Sequence, residues 1–133
     1  MIELLRCKLC RVKVTAIDPQ ADGAMEMDET LMRVATLRPF QRLTVLNRET
    51  GLRFETFALP VKDAGALRLN GGDARLAEPG DLIDIEIFQI LDEGKFDAPY
   101  VPLRVIVDDD NRIVRESPRD GVGKASAVPG ASK

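Results

Sequence analysis

The sequence predicts a small, mostly β barrel with one or two short helices, and three observations carry that prediction. Apolar and polar residues alternate over residues 11–15 and 82–88, the period of a strand with one buried face. Residues 42–46 and 52–59 are two strand-like runs joined by Asn47-Arg48-Glu49-Thr50-Gly51, a hairpin connection ending in glycine. From Asp28 onward the apolar residues Leu31, Val34, Ala35 and Leu37 recur at helical spacing instead.

Residues 5–16 open the chain as a strand, and Asp18-Pro19-Gln20-Ala21-Asp22-Gly23 supplies turn chemistry after it. Asp28 is the expected N-cap of the helix, because its carboxylate can take an orphan backbone N–H, and Pro39 ends the run. After the hairpin, Pro60-Val61-Lys62-Asp63-Ala64-Gly65 reads as a loop and residues 66–69 as a short strand. Asn70-Gly71-Gly72 is a turn in which glycine permits close backbone approach, and residues 73–77 form one helical turn. Glu78-Pro79-Gly80-Asp81 leads into residues 82–88, the best-patterned strand, with its acidic residues on one face. Residues 101–114 hold further strand with a turn at Asp108-Asp109-Asp110-Asn111. One barrel domain is expected over residues 1–115. Residues 116–133, rich in Ser, Pro, Gly, Ala and Lys, are expected to be a disordered tail.

The 133 residues suit one core, with 44% hydrophobic and 31% charged residues. The absence of histidine excludes His-based triads and most catalytic zinc sites. A net charge of -3, one tyrosine and no tryptophan argue against a nucleic-acid partner. No apolar run approaches the roughly 20 residues that span a bilayer, and the first six residues are too charged for a secretory signal. A cytoplasmic protein without a membrane partner is the expectation. No solenoid repeat is present.

The chain is organised around Asp22-Gly23-Ala24-Met25-Glu26-Met27-Asp28-Glu29, which precedes the helical run. Further stretches in the same register are Leu5-Arg6-Cys7-Lys8-Leu9-Cys10-Arg11-Val12-Lys13-Val14-Thr15, Gly51-Leu52-Arg53-Phe54, Asn70-Gly71, Pro79-Gly80-Asp81-Leu82 and Val107-Asp108-Asp109-Asp110-Asn111-Arg112-Ile113-Val114. In order and spacing they resemble the pyruvoyl-dependent L-aspartate alpha-decarboxylases over about residues 1 to 115. That resemblance implies a double-psi β-barrel assembled as a homotetramer with active sites between subunits. It also implies a cofactor made by self-cleavage: a serine after the glycine attacks the glycine carbonyl, and the resulting ester yields an N-terminal pyruvoyl group.

By the same resemblance, Lys8 matches a lysine near the substrate and Arg53 an arginine that pairs with the substrate carboxylate, a task that suits a guanidinium. Thr56 matches a threonine that assists self-cleavage, and Asn70, followed by Gly71, an asparagine lining the pocket. Five positions depart. Ala24 follows Gly23 where the serine belongs, so the former processing site Gly23-Ala24 has no nucleophile and no pyruvoyl cofactor is expected. Phe57 stands for the tyrosine that returns a proton, so this proton donor is lost as well. Cys10 replaces a histidine of many members, and Gly72-Asp73 replaces small apolar residues.

Among the polar candidates, Cys7 and Cys10 lie three apart and so point to opposite faces of a strand, one buried and one facing the pocket. Too few further ligands exist for a structural zinc site. Lys8 and Cys10 share a face, making Cys10 either a nucleophile or acid/base beside an ammonium, or a residue that fills the histidine's space. Arg53, Glu55 and Phe57 share another face, where Glu55 is either a pocket carboxylate or half of an exposed ion pair. Asp73 is either a helix cap or a pocket carboxylate. Asp108-Asp109-Asp110 reads as a solvated turn.

Three functions follow. The first is a repurposed enzyme, lyase-like and pyruvoyl-independent, that holds a small amino or carboxylic acid with Arg53 and Lys8. Its available catalytic groups are Lys8, Cys10, Glu55 and Asp73. The second is a pseudoenzyme or regulatory subunit, either homotetrameric or in a hetero-oligomer with a competent decarboxylase. The third is a decarboxylase precursor trapped by a serine-to-alanine change at residue 24.

Overall fold

The computed structural model describes residues 1–95 and 99–118. Strand β1 (Ile2–Lys13) leads through β2 (Ala16–Asp18) and β3 (Met25–Asp28) to a single helix, α1 (Glu29–Val34). Strands β4 (Arg42–Asn47), β5 (Arg53–Val61) and β6 (Leu67–Asn70) follow, then a 3-10 helix (Gly71–Arg75). The long β7 (Leu82–Leu91) precedes a second 3-10 turn (Glu93–Lys95), and β8 (Leu103–Val107) and β9 (Ile113–Pro118) close the described chain.

The strands form one mixed sheet in the order β2-β6-β3-β5-β4-β7-β1-β8-β9. Two strands occupy equivalent places in it. β1 pairs antiparallel with β7 and parallel with β8, while β3 pairs antiparallel with β6 and parallel with β5. Each parallel partner comes from later in the chain and needs a long crossover to arrive. This arrangement is the double-psi β-barrel, the fold that the family resemblance implies, and it is mostly β as the strand pattern predicts. Leu9, Val12, Met25, Met27, Leu43, Val45, Leu67, Leu69, Ile83, Ile85 and Ile87 fill the interior. Alternate residues of β4 and β7 therefore point to an outer face.

Asp28 caps α1 as expected: its carboxylate accepts the Thr30 N–H at 2.8 Å with one oxygen and the Gly65 N–H at 2.8 Å with the other. The helix is shorter than the apolar spacing predicts. It ends at Val34, and Thr36 turns left-handed at φ 55°. The Thr36 N–H on the Arg33 carbonyl (3.1 Å) and the Leu37 N–H on the Met32 carbonyl (2.8 Å) close the helix, and Arg6 reaches across from β1 to donate to the carbonyls of Ala35 (2.7 Å) and Thr36 (3.0 Å).

Two boundaries also move. β5 continues through Pro60 to Val61, because Met25–Asp28 pairs alongside it in parallel and extends the ladder into the expected loop. β9 runs to Pro118, past the expected domain end at residue 115. The remainder of the expected tail, residues 119–133, lies outside the described residues. Among the described residues, no helix is long and apolar enough to cross a membrane.

Candidate functional site

The Gly23-Ala24 step lies where β3 begins, and both neighbours of β3 meet it. Met25 pairs with Ala58 of β5 and with Leu69 of β6. Continuing those registers backward sets Ala24 level with Phe57 and Asn70, and Gly23 level with Thr56 and Gly71. The contacts agree. The Asn70 N–H donates to the Ala24 carbonyl at 2.6 Å, and a Cβ added to Gly71 would stand 3.1 Å from the Gly23 carbonyl oxygen. Gly71, at φ +61°, is therefore the residue that lets the 3-10 turn approach the Gly23 carbonyl.

A side-chain bond joins these two flanks. The Thr56 hydroxyl donates to the Asp73 carboxylate, tying β5 to the 3-10 turn beside the Gly23-Ala24 step. Phe57 is half-buried and rests against exposed Phe40 with ring centroids 5.3 Å apart. Gly23, Ala24, Thr56, Phe57, Asn70, Gly71 and Asp73 thus form one site.

Lys8, Arg53 and Glu55 occupy a different region, the outer face of the sheet. Lys8 stands opposite Glu86, Glu86 opposite Thr44, and Thr44 opposite Glu55. Lys8 and Glu55 are three strand spacings apart, about 14 Å. Glu55 forms an exposed ion pair with Arg42 at 3.9 Å, a contact of little energetic worth. Arg53 pairs with Glu86. Lys8 lies 3.6 Å from Asp84, whose same oxygen accepts from Arg48 at 2.8 Å. Three cations (Lys8, Arg48 and Arg53) thus gather around two carboxylates (Asp84 and Glu86). Arg53 is about half exposed and keeps donors available to solvent.

Of these residues, Asp84, Arg48 and Glu86 were not among the sequence candidates. Their signal was present: two acidic residues alternate within Leu82–Leu91, a strand otherwise apolar enough to be central, and such residues require partners.

The cysteines differ from expectation. Both are free, and both are buried, Cys10 at 5% exposure rather than facing a pocket. Arg11, left-handed at φ 60°, bulges β1 between Leu9 and Val12, so simple alternation ends at this point. The Cys10 thiol points at the Lys8 carbonyl, 3.7 Å away. Burial pushes the Cys7 thiol up to about 12 from 9.0, outweighing the nearby Arg6 charge that lowers it. The unfolded chain therefore loses this proton near pH 9 while the folded chain keeps it. Stability contributed by the neutral thiol is full below pH 9 and falls by about 1.4 kcal/mol per pH unit between 9 and 12. Urea titrations across that range should show this slope in the native sequence and its loss in Cys7→Ala.

A pyruvoyl group does not fit residue 24. Its formation requires a side-chain oxygen, and Ala24 offers a methyl group. Among the described residues, no cluster of three or more His, Cys, Asp or Glu side chains is arranged to hold a metal ion.

The sequence profile of the aspartate decarboxylases matches residues 1–114. Aspartate 1-decarboxylase of Pelotomaculum thermopropionicum is 35% identical over 127 residues, covering 95% of this chain and 96% of that protein. The aspartate 1-decarboxylase of Bordetella pertussis is 39% identical over 111 residues, covering 83% and 90% of the two chains. That of Paraburkholderia xenovorans is 37% identical over 111 residues, covering 83% and 87%.

Proposed function

Because the chain belongs to the aspartate decarboxylase family, we propose that it is a member that stays uncleaved, carries no pyruvoyl group and binds a small carboxylic or amino acid without decarboxylating it. The observation that carries this reading is Ala24, a methyl side chain at the position whose oxygen the family's self-cleavage consumes. Phe57 beside it has no phenolic proton to return to an intermediate.

The placement of the polar groups favours binding over catalysis. Each candidate acid, base or nucleophile is already engaged within the chain: Lys8 by Asp84, Glu55 by Arg42 and Asp73 by Thr56, while Cys10 is buried. The cations gathered on the outer face suit a carboxylate ligand, and Arg53 is the most accessible guanidinium of that trio beside its acidic partner. The chain acts as a homotetramer or beside a competent homologue, in the manner of a regulatory subunit.

Two measurements test this. Denatured and native mass of the protein from its own host should show one chain uncut between Gly23 and Ala24; fragments ending at Gly23 would end the proposal. A thermal-shift screen of small dicarboxylic and amino acids should find a ligand that Arg53→Ala weakens about 10- to 100-fold, the range for losing a charge-assisted hydrogen bond.

A repurposed, pyruvoyl-independent enzyme is the second reading, and one observation favours it: Asp73 places a carboxylate on the Thr56 hydroxyl beside Ala24. Turnover of a screened acid that disappears in Asp73→Ala would raise it above the first.

A further inference from the structure

The Gly23-Ala24 step is enclosed on both sides. Thr56 and Phe57 are level with it on β5, Asn70 and Gly71 on β6, and the Thr56–Asp73 hydrogen bond joins the two sides. We infer that Asp73 is a second lock on this peptide, independent of Ala24: by taking the Thr56 proton, it withdraws the hydroxyl donor level with the Gly23 carbonyl. Restoring a nucleophile at residue 24 is then insufficient to cleave the chain.

The argument is one of proton accounting. A hydroxyl at residue 24 that attacks the Gly23 carbonyl carbon forms a C–O bond and pushes negative charge onto the carbonyl oxygen. The Gly23–residue 24 C–N bond then breaks, the nitrogen takes the hydroxyl's proton, and an ester replaces the amide. The step requires a donor aimed at the developing oxyanion, and loss of such a donor costs about 100- to 1,000-fold in rate. Continued two residues back from Met25–Ala58, the register sets Thr56 level with Gly23, and the Thr56 hydroxyl has the Phe57 carbonyl at 3.4 Å as its only other acceptor among the described residues. A hydroxyl has one proton, and here Asp73 holds it. On the opposite flank the Asn70 N–H is engaged by the Ala24 carbonyl.

The inference rests on the family assignment but not on what the uncut chain binds, so its failure leaves the proposed function standing. The experiment compares Ala24→Ser alone with Ala24→Ser plus Asp73→Ala, each purified, confirmed folded by circular dichroism and followed by intact mass. Hydroxylamine is added to a parallel sample, where it attacks any ester and releases Gly23 as a hydroxamate. Chain scission at residue 23 should run about 100-fold faster in the double variant. Asp73→Asn with Ala24→Ser provides a near-isosteric form whose amide can donate to Thr56 and free its proton. It should also cleave faster than Ala24→Ser alone. Adding Thr56→Ala to the fast variant should remove the gain, a dependence that general loosening of the turn would not produce. Equal cleavage of the single and double variants overturns the inference. So does failure of both to cleave, or a gain that survives without Thr56.

Discussion

Replacing Asp84 with alanine should destabilise the protein by about 3–5 kcal/mol, the combined cost of leaving the Arg11 N–H without its acceptor and losing the charge-assisted bond from Arg48. Asp84 is 1% exposed. One of its oxygens accepts the Arg11 N–H at 3.0 Å, and the other accepts from Arg48 at 2.8 Å with Lys8 at 3.6 Å. The first bond holds the bulge at which Arg11 adopts φ 60°, a backbone conformation that an ordinary side chain disfavours. The second group of contacts neutralises two cations on the outer face. Alanine removes both supports at once, whereas Asp84→Asn keeps an acceptor for Arg11 and loses only the charge. Asp84→Asn should therefore cost about 1.5–3 kcal/mol. Urea unfolding of the two variants checks the ordering. An alanine variant within about 1 kcal/mol of the parent would mean that the carboxylate does not hold the bulge. Because β1 carries Lys8 three residues before the bulge, Asp84→Ala should also weaken any ligand that depends on Lys8.

What was legible in the sequence divides along the same line between local and distant interactions. Asp28 capping α1, the hairpin ending at Gly51, and alternation in Leu82–Leu91 are decided within a few residues, and the sequence pattern matches the structure at each. The helix end carries no glycine signal: Thr36 takes the left-handed closing position, and Arg6, 29 residues before Ala35, braces the carbonyls there. The persistence of β5 past Pro60 depends on β3 arriving in parallel, while β4 stops opposite Phe57 and leaves β5 one open side on which proline is tolerated. At the site, Thr56 and Asp73 were both singled out from the sequence, yet their bond requires β5 and β6 to flank β3 together. Glu55 shows the limit of parity arguments. It does share a face with Arg53, but it stands opposite Thr44 and pairs diagonally with Arg42 in an exposed contact. Cys10 shows the same limit: it alternates with Lys8 as expected, but β8 pairs alongside and Ile106 stands opposite it, so that face of β1 is covered there.

Gly65→Ala should cost about 3 kcal/mol, combining overpacking with a left-handed backbone. Gly65 has φ +76°, and a Cβ there would meet the Asp110 carbonyl oxygen at clashing distance, against backbone that cannot rotate away. Three parts of the chain converge on this residue. Its N–H donates to Asp28, the cap of α1, at 2.8 Å, and its carbonyl accepts from Asn111 at 2.9 Å. Asn111 also accepts the Lys13 N–H and donates to the Lys13 carbonyl, each at 2.8 Å, so the same knot fixes the end of β1. Displacing the turn after β8 therefore strains the helix cap and β1 together. Gly51→Ala is the matched control: φ is +80° but nothing lies within 4 Å of its Cβ, so it should cost about 1 kcal/mol from backbone conformation alone. The difference between the two urea midpoints isolates the contact with Asp110. Equal losses would remove that contact from the account and leave Gly65 as a turn glycine like Gly51. A larger loss at Gly65 would measure the cost of pushing the Asp110 backbone aside.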